Sequence, residues 1–220
     1  MKLDLHVHTG YSRDATPSAI EIVKRCKSIG LDGVAITDHN EIKGSLEAYS
    51  VAASEGVVVV RGVEVSAKEG HVLALGIGEL VPRGLPLRDT VDKIRAAGGV
   101  AVAAHPGRFP SGMGIERARV VDVDAIEVLN GGTSSHTNTL ARAVAEHKGV
   151  AMTGGSDAHG IGELGKAWTI VEDASSEEDV IRAIEQSKCS VGGRSRTVIE
   201  GYRYSIETLV EWLKGDLKRL

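Results

Sequence analysis

Apolar and polar positions change period several times along the chain. Lys2 to His8 alternates residue by residue, the period of a strand, with Leu3, Leu5 and Val7 assigned to one face. Thr16-Pro17 reads as a cap followed by a first-turn proline, opening a helix that runs to Gly30. Short apolar or β-branched runs at 33–37, 57–65, 71–76, 100–104, 125–129 and 150–153 read as strands. Helical periods at 45–54, 87–97 and 138–147 fall between them. Strand-helix alternation of this length predicts an α/β fold with a parallel sheet or barrel and helices outside. In a barrel the strand C-termini gather on one face, where active sites of such folds sit.

From about Gly165 the pattern differs. A strand at 166–171, a helix at 176–186 and a turn at Gly192 to Arg194 precede a last helix from Ile206. Ile206, Leu209, Val210, Leu213, Leu217 and Leu220 keep the helical period in that helix. The stripe is expected to pack on the barrel, with an oligomer contact as the alternative. The division expected is therefore a core at 1–164 and a segment at 165–220 that completes the barrel or packs on it.

Composition narrows the function classes. The 220 residues carry 26 Lys and Arg against 30 Asp and Glu, a net charge of −4, which argues against a basic nucleic-acid binder. Seven aromatics leave little base-stacking surface, so stable nucleic-acid binding is not expected. No apolar run is long enough to span a bilayer, so no membrane partner is expected either. Met1-Lys2-Leu3-Asp4 lacks the apolar stretch of a signal peptide, and Cys26 and Cys189 form no disulfide framework. A cytoplasmic location is the expectation.

Histidine carries the chemical information. Six of the eight, His6, His8, His39, His71, His105 and His159, fall at or just beyond strand ends; His136 and His147 fall in or near a helix. Asp14, Glu64 and Asp157 lie at strand ends too. Imidazoles and carboxylates gathered at one end of a sheet are the donor set of borderline divalent cations. Left without a metal, so many buried polar groups would cost several kcal/mol. Asp38, beside His39, reads as an orienting or structural carboxylate.

The order of these residues resembles the PHP (polymerase and histidinol phosphatase) family. Asp4-Leu5-His6-Val7-His8-Thr9 with Tyr11-Ser12-Arg13-Asp14 is similar to its first motif, and Ile36-Thr37-Asp38-His39-Asn40 to its second. Gly62-Val63-Glu64, Gly70-His71-Val72, Ala104-His105-Pro106 and Gly155-Ser156-Asp157-Ala158-His159 follow in order. The resemblance spans Lys2 to about Gly160. It implies a distorted (β/α)7 barrel with two or three divalent ions, Zn, Mn or Fe, at the strand C-terminal face. His6 and His8 would hold one ion with Glu64 and Asp157. Glu64 would bridge to a second, held by His71 and His105. Asp14, His39 and His159 would hold a third, with Asp14 standing where some members have histidine.

The implied activity is phosphoester hydrolysis by metal-activated water on a small phosphorylated metabolite or nucleotide. Arg13 and Arg108 are candidates for catalysis and phosphate binding, with Arg194 and Asn130 as further substrate contacts. Alternatives are a nuclease, an amidohydrolase-type C–N hydrolase, and a non-catalytic metal-stabilised module of a polymerase complex. Amidohydrolases often bridge their metals through a modified lysine, and no lysine stands at these strand ends.

Overall fold

The computed structural model describes residues 1–202 and Ile206. The elements run β1 (Lys2–Val7), α1 (Ala19–Ser28), β2 (Gly33–Ile36), α2 (Lys43–Glu55), β3 (Val58–Ala67), β4 (Gly70–Leu75), α3 (Leu87–Ala96) and β5 (Val100–Ala103). They continue with α4 (Ile115–Val120), β6 (Ala125–Asn130), α5 (Ser135–Lys148), β7 (Ala151–Gly155), β8 (Ala167–Val171), α6 (Glu177–Glu185) and β9 (Cys189–Gly193). All the strands belong to one sheet, in the order β7-β6-β5-β4-β3-β2-β1-β8-β9. The sheet curls until the chain leaving β7 meets β1. Asp157 N–H donates to the His6 carbonyl at 2.8 Å, and His8 N–H donates to the Ala158 carbonyl at 2.9 Å. The fold is thus a distorted, nearly closed barrel.

One inner cluster draws Leu3, Leu5, Ala35, Val60, Leu73, Leu75, Val100, Val102, Ala125 and Ala151 from all seven strands β1 to β7. None of its members comes from α1 to α5, so it fills the barrel interior. Val180, Ala183 and Ile184 of α6 join it beside the first residues of β5, β6 and β7. Helix α6 therefore plugs the end of the barrel opposite the strand C-termini. Gly76, at φ +79°, lets it approach, because a Cβ there would lie 2.8 Å from Ile181 Cγ1. Glu177 locks the plug by accepting from Arg61 Nε at 2.9 Å and from the Arg61 backbone at 2.7 Å. Two outer clusters pack α1 and α2, and α3 to α5, against the other face of the strands.

Four local expectations are corrected. Val7 joins the outer cluster while Leu3 and Leu5 are inside. A register shift between Asp4 and Val7 breaks the alternation, so Leu5 and His6 both turn inward. Strand β4 is antiparallel to β3 and β5, because Lys68 and Glu69 form a turn too short for a crossover helix. The cap of α1 is Ser18, whose capping box with Glu21 outcompetes Thr16. Gly192 and Gly193 lie in β9, paired with Trp168 and Ala167, and form no turn. The expected last helix lies outside the described residues except for Ile206, which is exposed. Among the described residues no helix is long and apolar enough to cross a membrane.

Candidate metal centre

At the strand C-terminal end the inward positions change from apolar to ionisable. On β1 the inner Leu3 and Leu5 give way to His6 and His8 beyond the bulge. On β3 the inner Val60 gives way to Glu64. Strand β4 runs the other way, so its inward His71 lies at its first end and reaches the same face. The six strand-end histidines pack as a chain of rings. Centroid separations include 5.1 Å for His6–His8, 4.4 Å for His8–His159 and 5.7 Å for His71–His105. His136 and His147 lie on α5, away from this cluster.

Glu64, fully buried on β3, divides its two oxygens. Oε1 lies 2.8 Å from His71 Nδ1 and 2.9 Å from His105 Nε2. Oε2 lies 3.5 Å from both His6 Nε2 and His8 Nε2, and 2.9 Å from His39 Nδ1. Burial opposes its ionisation, but the His71, His39 and His6 rings outweigh it and hold the carboxyl well below the usual range. Asp157 divides likewise. Oδ1 lies 3.5 Å from His6 Nε2 and 3.3 Å from His8 Nε2, while Oδ2 accepts from Arg108 Nη1. Its carboxyl is also held well below the usual range, with Arg108 and then His6 overcoming burial. Asp14 Oδ2 sits 3.1 Å from His159 Nε2 and 3.5 Å from His39 Nε2. Burial presses the His8 ring down to about 3, and the neighbouring His159 adds to it.

These donors fit divalent ions. Four of the six edges joining His6 Nε2, His8 Nε2, Glu64 Oε2 and Asp157 Oδ1 measure 3.3–3.5 Å. Two imidazole nitrogens and two carboxylate oxygens held this close together are a donor set that borderline divalent cations accept. His6 Nε2, His8 Nε2, His105 Nδ1 and Asp14 Oδ1 are buried without a hydrogen-bond partner, and Glu64 Oε2 makes no well-aligned hydrogen bond although His39 Nδ1 lies 2.9 Å away. Native interiors rarely leave such atoms unsatisfied, and a cation among them would satisfy several together. Four overlapping triads of closely spaced donors combine His6, His8, His39, Glu64, His71, His105, Asp157 and His159.

A surrounding layer aims the rings. Glu127 Oε1 accepts from His6 Nδ1 at 3.0 Å, which leaves the Nε2 lone pair facing the cluster. Its other oxygen accepts from the His105 N–H at 2.8 Å and from Asn130 Nδ2 at 3.0 Å. The backbones of His105 and Asp157 take positive φ, 27° and 55°, conformations that persist only where the surroundings impose them. Asp38 is no part of the cluster. It accepts from Thr9 N–H at 2.7 Å and Ser12 Oγ at 2.8 Å, and Ser12 Oγ lies 3.2 Å from His8 Nδ1. Asp4, buried behind β1, accepts from Ser156 N–H at 2.8 Å and Gly165 N–H at 2.9 Å, and so ties the loop after β7 to the barrel. Burial raises its pKa to about 6 against those hydrogen bonds.

Arg108 and Asn130 join this site through Asp157 Oδ2, Asn130 Nδ2 at 3.4 Å. Arg13 is exposed on the loop after β1. Arg194 lies outside the site, paired through both terminal nitrogens with Glu200 at 2.8 Å. The sequence reading missed Glu127. A carboxylate at an inward position between Ile126 and Val128 was the available signal.

The PHP-associated family model matches residues 135–189. An uncharacterized protein of Methanocaldococcus jannaschii is 36% identical over 159 residues, 67% of this chain and 91% of that protein. The chain belongs to the PHP family. The 3',5'-nucleoside bisphosphate phosphatase of Chromobacterium violaceum is 25% identical, the alignment covering 78% of this PHP chain and 92% of the relative. A two-domain Bacteroides vulgatus protein containing a predicted PHP-like metal-dependent phosphoesterase superposes with a TM-score of 0.72 at 19% identity. That superposition covers 88% of this chain and 65% of the other, so the PHP chain spans about two thirds of it.

Proposed function

We propose that this PHP protein is a metal-dependent phosphoesterase acting on a small phosphorylated metabolite or nucleotide. The observation that carries the reading is the convergence of six imidazoles with Glu64 and Asp157 in closely spaced donor triads, with Asp14 beside His159 and His39, several of them presenting buried atoms that make no hydrogen bond. His6, His8, Glu64 and Asp157 would hold one ion, Glu64, His71 and His105 a second, and Asp14, His39 and His159 a third. Bound there, divalent ions lower the pKa of a water and neutralise phosphoryl oxygens.

The chain's own residues do the rest. Glu127 keeps His6 in the tautomer with a bare Nε2. Ser12, held by Asp38, steadies the His8 ring. Arg108 on the loop after β5 neutralises Asp157 Oδ2 and stands ready to grip a phosphate oxygen. The bisphosphate phosphatase relative supports a nucleotide-sized substrate.

The test is metal content together with p-nitrophenyl phosphate hydrolysis, followed by a panel of mononucleotides, nucleoside bisphosphates and short single strands. Two or three ions per chain and turnover of small esters are the expected result. A purified and reconstituted protein that holds no metal would sink the reading.

A further inference from the structure

We propose that Arg196, delivered by the segment after β9, is a second guanidinium of the substrate wall and binds the phosphoryl group together with Arg108. The proposal rests on the phosphoesterase reading and deepens it.

The segment returns from β9 to the strand C-terminal face and is stapled there. Arg196 N–H donates to the Thr133 carbonyl at 2.9 Å, and Ser134, the cap of α5, forms an isolated parallel bridge with Arg196. Asn138 Nδ2, one turn into α5, donates to Ser195 Oγ at 3.0 Å. Backbone and side-chain bonds together fix where residue 196 starts from.

Its guanidinium then points at the metal centre's outer wall. Arg196 Nη2 lies 3.4 Å from the point a Cβ on Gly132 would occupy. Asn130 Oδ1 and Asp157 Oδ2 border the same point, at 3.2 and 3.3 Å. A side chain at 132 would fill this space, and glycine leaves it open. Asp157 Oδ2 is the oxygen that accepts from Arg108, while Asp157 Oδ1 faces His6 and His8. Arg108 thus holds one oxygen of Asp157, Arg196 Nη2 borders the open space beside that same oxygen, and the other oxygen of Asp157 faces the proposed ion. A planar fork of donors at that position matches the oxygens of a phosphoryl group.

The alternation along the segment sharpens the assignment. Arg194 is committed to Glu200 at the surface, and Glu200 also accepts from the Thr197 N–H at 2.8 Å. That clasp commits residue 194 to the surface, while the bonds to Thr133 and the bridge to Ser134 leave Arg196 Nη2 beside Gly132.

The experiment is isothermal titration of inorganic phosphate into the metal-loaded full chain, beside steady-state hydrolysis of p-nitrophenyl phosphate. Wild type is compared with Arg196→Met, Arg196→Lys and Arg88→Met, the last a charge-matched change on α3 at a side chain 92% exposed. Arg196→Met is expected to weaken phosphate binding about 10-fold or more and to raise KM alongside, with metal content and melting temperature unchanged. Arg196→Lys should recover part of the affinity, and Arg88→Met should match wild type. Unchanged phosphate affinity in Arg196→Met overturns the proposal, as does a loss confined to metal content or melting temperature. Phosphate binding that depends on Arg196 in a protein that hydrolyses no ester would sink the phosphoesterase reading and leave the anion site standing. Ester hydrolysis with phosphate affinity indifferent to residue 196 would do the reverse.

Discussion

The two halves of the barrel interior are built on the same strands and the same inward positions, yet they have opposite chemistry. In the lower half Leu3, Leu5, Val60, Leu73, Leu75, Val100 and Val102 pack against the α6 plug. In the upper half stand His6, His8, Glu64 and His105, a residue or a few further along their chains, and His71, earlier on the reversed β4. Each large aliphatic side chain in the lower half contributes roughly 1.5–3 kcal/mol on leaving water. Each buried imidazole or carboxylate in the upper half costs desolvation and recovers it only through partners. Stability is thus concentrated below, where positions have only shape to satisfy. The upper half stores unsatisfied bonding capacity, held in place by the half beneath it.

The contrast can be broken from either side. The largest effect is expected in the upper half. The His6→Ala/His8→Ala double variant should lose bound metal and lower phosphoesterase turnover by about 10³-fold or more, measured by elemental analysis and steady-state kinetics. Retained turnover would show that the reaction does not use these ligands. In the lower half Leu75→Ala should cost about 2–5 kcal/mol in urea unfolding while metal content per folded molecule stays at the wild-type level. A proportionate loss of metal would mean the halves are not separable.

Smaller effects sharpen the boundary. Glu127→Gln keeps the shape of the β6 side chain and removes the charge that orients His6. It should weaken metal affinity about 10- to 100-fold in competition with a chelator, with little change in unfolding midpoint. The smallest effect concerns the clasp at Glu200, whose pKa the Arg194 guanidinium holds below the ordinary 4.5. A depressed carboxyl contributes stability that is present above about 4.5 and lost as pH falls below it. Amide exchange at 194–202, corrected for the intrinsic pH dependence, should therefore accelerate relative to the core below pH 4.5. Glu200→Gln should abolish that difference.

Much of the candidate site was legible because its donors come in short local motifs at strand ends. His6 and His8 are two apart on one strand, and Asp157 and His159 follow one strand within a few residues. Spacing of that kind survives any global arrangement. Glu127, Asp4 and Arg196 were not legible in the same way. Each owes its role to a partner more than 60 residues distant or to which face of a strand it occupies, and neither is written in local pattern. Glu127 matters because β6 turns it toward His6 of β1. Arg196 matters because the segment after β9 is stapled to α5, whereas Arg194, two residues earlier, is held at the surface by Glu200.

The sequence by itself determined the alternating α/β architecture, the inward apolar period of most strands, the approximate extents of several helices through their apolar period, and the donor types gathered at one barrel end. These follow from short-range sterics, periodicity and side-chain chemistry. Only the tertiary structure decided the reversal of β4, the bulge that turns both Leu5 and His6 inward, the α6 plug, the split of Glu64 and Asp157 between two sets of neighbours, and the choice of Arg196 over Arg194 at the site. Those depend on how the sheet closes on itself, and closure is set by long-range pairing that no local window of residues contains.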